Sequence, residues 1–168
     1  MSNTVIAILR VIHIVFGAFW LGGAITVGFF LLPTVKATGA IGGQFAGQLM
    51  ARTRLPTVIT ASGGIAILAG IILYGGIWAG TGFSGPAMWY AIGGLIAIVV
   101  AILAGAIVRP AADKLGALGR TRASQSSPPT AEQNAEREQL MSRMTTFTQL
   151  NAVLLVITIA LMAIARYV

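Results

Sequence analysis

Four stretches of this chain, residues 11–32, 56–79, 86–108 and 147–165, contain no Asp, Glu, Lys or Arg. A bilayer core is crossed by roughly 20 apolar residues in helical form. Lipid offers no hydrogen bonds, so a spanning backbone must be a helix or part of a closed barrel. The apolar runs are continuous rather than alternating, which selects helices. The chain is therefore expected to be all-α, a four-helix transmembrane bundle forming one membrane domain over residues 1–168. Composition agrees: 57% of residues are hydrophobic and only 9% are charged, against about 25% charged in a soluble domain.

Prolines punctuate the spans. Pro33 is expected to end the first helix, Pro56 and Pro86 suit first helical turns, and Pro110 follows the third span. The link at 80–85 is short and uncharged, so spans two and three should form an antiparallel hairpin. No basic region precedes the first apolar run, and that run exceeds the roughly 7–15 residues of a signal core. It is expected to be a permanent helix.

The charges set an orientation. Lys36, Arg52 and Arg54 lie in the connection 33–55; Arg109, Lys114, Arg120, Arg122, Arg137 and Arg143 lie in the connection 109–146. Those two connections share one side and hold nine of the eleven basic residues. The positive-inside rule makes both cytoplasmic and both termini external. All four acids (Asp113, Glu132, Glu136, Glu138) share the second connection, leaving +5 inside and +2 outside. Orientation and attraction to anionic lipid headgroups account for the basic charge. Nucleic-acid binding would require a clustered basic face with stacking aromatics, and it is not expected.

Within the second connection, GRTRASQSSPPT reads as flexible or extended. Thr130 with Gln133 fits a capping box, and Glu132 complements the helix dipole. One helix is expected from Ala131 into span four, its first turns projecting into the cytoplasm. Such a projection serves either as a solvated extension or as a handle for a partner subunit. In the first connection, Ile41, Phe45 and Leu49 recur at i, i+4, i+8, a weak pattern for a segment along the membrane surface with Arg52 and Arg54 in the headgroups.

Chemistry-bearing residues are few. There is no cysteine, which excludes disulfides, cysteine metal sites and thiol catalysis. No carboxylate lies in a span, which counts against proton-coupled antiport. No pair of proton-transfer groups is available in the membrane, so an enzyme is not expected. His13, the one histidine, shares a helical face with Phe16, Gly17 and Trp20. Either it hydrogen-bonds a neighbouring helix or interfacial water, or it is a metal or haem ligand. The latter needs a donor from another helix, with Met88, Trp89 or Tyr90 as candidates; a thioether suits copper(I) or haem iron.

Small residues dominate the rest. Gly17 and Gly22 in span one, Gly63 and Gly70 in span two, and Gly94, Ala101 and Gly105 in span three are expected to pack helices closely. A gap for a lipid tail, quinone or pigment is the second reading. Asn151 and Thr158 are expected to make interhelical hydrogen bonds of ~0.6 kcal/mol each. Trp20 is expected to pack mid-span or, with His13, to contact a cofactor, and Trp78, Trp89 and Tyr90 are expected to form an outer aromatic belt.

The run His13-Ile14-Val15-Phe16-Gly17-Ala18-Phe19-Trp20-Leu21-Gly22-Gly23 resembles the first helix of small bacterial four-helix integral membrane proteins of unknown function, distantly similar to copper-resistance protein D. Ser62 to Tyr74 is similar to that group's glycine-rich second helix, and a basic-acidic run precedes the last helix in both. The resemblance implies copper or haem-related handling in the bacterial inner membrane, with His13 at the matching position. Residue chemistry favours a non-catalytic subunit, packed against membrane lipids, other membrane subunits or its own copies.

Overall fold

The computed structural model describes residues 1–81 and 83–167. Helix makes up 91% of it and no strand occurs among the described residues, so the chain is all-α. The helices are α1 (Asn3–Ile25), α2 (Leu32–Arg52), α3 (Leu55–Trp78), α4 (Gly85–Leu103), α5 (Arg109–Ser124) and α6 (Ala131–Ile164). Four continuous rods are long and apolar enough to cross a membrane: Asn3–Met50, Leu55–Trp78, Gly85–Ser124 and Ala131–Tyr167.

The helix ends follow local chemistry. Ser2 caps α1 by accepting from the Val5 N–H. Thr53 both donates to the Leu49 carbonyl at 2.5 Å and accepts from the Leu55 N–H at 3.2 Å, joining α2 to α3 in a minimal turn. The capping box opens α6: Thr130 Oγ1 accepts from the Gln133 N–H at 3.2 Å, and Gln133 Oε1 accepts from the Thr130 N–H at 3.1 Å. Arg122 reaches Asn134, and Gln133 reaches Gln125, tying the α5–α6 hairpin. Within the uncharged link at 80–85, the Trp78 carbonyl accepts from Thr81; Gly82 lies outside the described residues.

Pro33 and Pro110 do not end helices, contrary to the reading of the sequence. Each is the second residue of a helix that continues the rod before it. A proline lacks an N–H, and its ring opposes the carbonyl four residues back. Both rods meet that problem by widening to a π turn, over Thr26–Leu31 and Ala104–Val108. At the end of each, an N–H bonds five residues back, Leu32 to Val27 and Arg109 to Ala104. The next carbonyls, Gly28 and Gly105, face Pro33 and Pro110, which have nothing to donate. The connections 33–55 and 109–146 are consequently mostly helical.

This Gly-x4-Pro device occurs once in each half of the chain. Each proline-broken rod pairs most extensively with the helix that follows it, α1 with α3 and α4 with α6. The fold is thus two copies of one helical hairpin run in the same direction. Their shared core gathers Trp20 and Ala24 from α1, Ala97 and Val100 from α4, and Ala152 and Leu155 from α6. A second layer joins Leu32 and Val35 of α2 to Met141 of α6. Inside α2, Gly39 breaks the helix at φ 61, ψ −121, a conformation that only glycine adopts freely. Beyond the break, Ile41 and Phe45 are exposed.

Candidate functional site

The α1–α3 seam holds the residues the sequence singles out. On α3, Ile59, Gly63, Ala66 and Gly70 recur at alternating spacings of four and three, which keeps them on one stripe. Each glycine there receives a side chain from α1. A Cβ at Gly63 would lie 2.8 Å from the Trp20 indole, and one at Gly70 would lie 2.9 Å from the His13 ring. Gly23 of α1 returns the arrangement by receiving Ile59. Gly63 and Gly70 therefore pack helices as expected, and Trp20 is a buried packing residue at the centre of the core.

His13 is partly buried, and its Nδ1 lies 2.7 Å from the Ala66 carbonyl. A carbonyl only accepts, so Nδ1 carries the proton. In the neutral ring Nε2 is then the lone-pair nitrogen. Gly70 is what lets the imidazole reach that carbonyl, because any side chain there would occupy the ring's place. Phe16 and Gly17 lie between His13 and Trp20; Gly17 has nothing within 4 Å of a built Cβ and takes no part in the seam.

Among the described residues, the hydrogen-bond partner of His13 is the Ala66 carbonyl. Met88 sits in the first turns of α4, partly buried, and is not a hydrogen-bond partner of the imidazole. No group of three or more His, Asp or Glu side chains is placed to hold a metal among the described residues. Trp78 and Tyr90 pair across the α3–α4 turn with ring centroids 5.9 Å apart.

Several of the glycines expected to pack helices meet no neighbour within this chain. Gly22, Gly94 and Gly105, like Gly17, have nothing within 4 Å of a built Cβ. A gap of about 320 Å³ opens beside Phe19, Gly22 and Gly23 on the outer face of α1. Helices apolar on all sides carry no signal for which glycine faces inward. Ala101 packs against the core as expected.

Among the described residues, Asn151 Oδ1 and Thr158 Oγ1 do not make the interhelical bonds expected of them. Asn151 is 5% exposed, and its Oδ1 has no partner; Thr148 Oγ1 and Thr158 Oγ1 are also buried without one. The small residues of the seams bring helices together without placing polar groups opposite these atoms. Gln149 of α6 does make an interhelical bond: its Nε2 donates to the Gly28 carbonyl at 3.1 Å. Sequence reasoning missed both residues; the signal was a glycine five positions before Pro33. Gly28 is buried, and a Cβ there would lie 3.1 Å from Thr148.

Compared with models of known families, with curated proteins and with solved structures, the chain matches none.

Proposed function

We propose that this chain is a non-catalytic, multi-pass membrane protein that packs as an accessory or structural subunit, with partner helices or its own copies seated on its outer face. The observation that carries this reading is the division among its glycines. Gly23, Gly28, Gly63, Gly70 and Gly93 are filled by neighbouring helices, whereas Gly17, Gly22, Gly64, Gly94 and Gly105 face nothing. Membrane helices associate through close backbone approach at small residues rather than through a hydrophobic drive. Open glycines on spans one, two and three offer that approach to helices outside the bundle.

The resemblance of the first helix supports a bacterial inner-membrane placement, and the positive-inside rule supports external termini with both long connections and the first turns of α6 cytoplasmic. Purification in mild detergent with identification of bound chains tests the subunit reading. A stable companion, or a defined oligomer, supports it; a monodisperse single chain that leaves every membrane complex intact on deletion contradicts it.

One observation favours a second reading, metal or haem handling by His13. A ring nitrogen that donates to a backbone carbonyl leaves the other nitrogen oriented as a ligand, the usual support for a coordinating histidine. The remaining ligands would have to come from a partner chain. Loss of a bound metal or haem band from the purified assembly in His13→Ala, with the assembly itself retained, supports this reading.

A further inference from the structure

We infer that the cleft beside Pro110 is a binding site for the headgroup of an anionic phospholipid. The cleft has a volume of about 120 Å³ and lies between the second proline passage and α6. Ala106, Ile107 and Leu140 form its apolar side, and Lys114 and Arg143 form its other side. Among the described residues, no carboxylate lines it. The position explains the division. Ala106 and Ile107 belong to the end of an uncharged span, Lys114 lies one turn past Pro110, and Arg143 lies one turn before the uncharged run of α6.

The proline creates the space. The π turn over Ala104–Val108 widens the rod there, and Pro110 fills a wall of the cleft without an N–H. In the first half of the chain the corresponding turn is filled: Gly28 is buried against α6, and Gln149 occupies its carbonyl. In the second half Gly105 is exposed and meets no neighbour. One copy of the same backbone device is plugged by a side chain, and the other is left open beside two cations.

Two cations over an apolar floor, at the level where a span gives way to charge, match one kind of molecule. A phosphodiester is held by the cations while its glycerol and chain roots lie on Ile107 and Leu140. Basic pockets between spans at the membrane surface recognise anionic headgroups in this manner. The volume suits a headgroup, with the acyl chains running outside along the rods. This inference stands independently of the subunit reading.

The test uses the full chain, reconstituted in vesicles of equal parts phosphatidylcholine and phosphatidylglycerol, extracted gently and weighed intact by native mass spectrometry. The expected result is preferential retention of phosphatidylglycerol. Retention should fall roughly fivefold for Lys114→Gln or Arg143→Gln and about thirtyfold for the pair, from about 1 kcal/mol per cation at the surface. Arg143→Lys keeps it. Both side chains are exposed, and unchanged helical content by circular dichroism shows that the variants fold. Arg54→Gln with Arg120→Gln removes the same charge elsewhere and should leave retention intact. Equal loss in that control, no loss in the cleft pair, or displacement of the lipid by millimolar inorganic phosphate each overturns the assignment.

Discussion

Gln149 supplies to Gly28 the hydrogen bond that Pro33 withholds. The amide Nε2 on α6 donates at 3.1 Å to a carbonyl whose own helix has a proline where the donor should be. A side chain from one hairpin thereby completes the backbone of the other.

Replacing Gln149 by Leu should destabilise the fold by about 1 kcal/mol, within the ~0.6 average and ~1.7 maximum of interhelical bonds in membranes. In a Pro33→Ala background the helix regains its own N–H, and the same replacement should cost less than half as much. Reversible unfolding in mixed micelles, followed by tryptophan fluorescence, measures the cycle. Equal costs in both backgrounds would show that Gln149 acts by packing alone.

The two prolines should respond differently to removal. Gly28 already has a substitute donor and Gly105 has none, so Pro110→Ala should stabilise the chain more than Pro33→Ala, by about 1 kcal/mol. The same unfolding assay decides; the reverse order contradicts the account of the π turns.

Gly63→Val should be strongly destabilising, because its side chain meets the Trp20 indole; overpacking of this kind costs about 1–3 kcal/mol. Gly64→Val, one position away and open, should leave the isolated chain's stability within about 0.5 kcal/mol. Thermal unfolding in detergent separates them, and similar losses at both positions would place the seam elsewhere on α3.

His13→Ala should lose the bond to Ala66 and about 0.6 kcal/mol. His13→Asn, which keeps a donor on a short side chain, should lose less. A loss for Asn as large as for Ala would mean that the imidazole contributes through its fit over Gly70 rather than through its proton.

Much of this architecture was legible in the sequence. Charge-free runs of sufficient length fix the number of rods, and Thr130 with Gln133 marks the start of α6. The passages through Pro33 and Pro110 were not legible, because a proline reads as a stop unless the turn before it is known to widen. Nor was the fate of individual glycines: Gly22 and Gly63 sit in equally apolar surroundings, and only the packing distinguishes the filled one from the open one. For Asn151, amide chemistry predicted a partner that the neighbouring small residues do not supply.

The open glycine face of α1 should receive another helix in the membrane, and single-cysteine cross-linking detects such a neighbour. The chain has no native cysteine, so Gly22→Cys and Phe19→Cys each carry one thiol. In native membranes, Gly22→Cys should cross-link to a second chain under oxidation or with a short bifunctional reagent, and should resist a lipid-soluble maleimide relative to its detergent-solubilised form. A Gly22→Cys chain that stays monomeric and is labelled equally fast in membrane and detergent would contradict the claim.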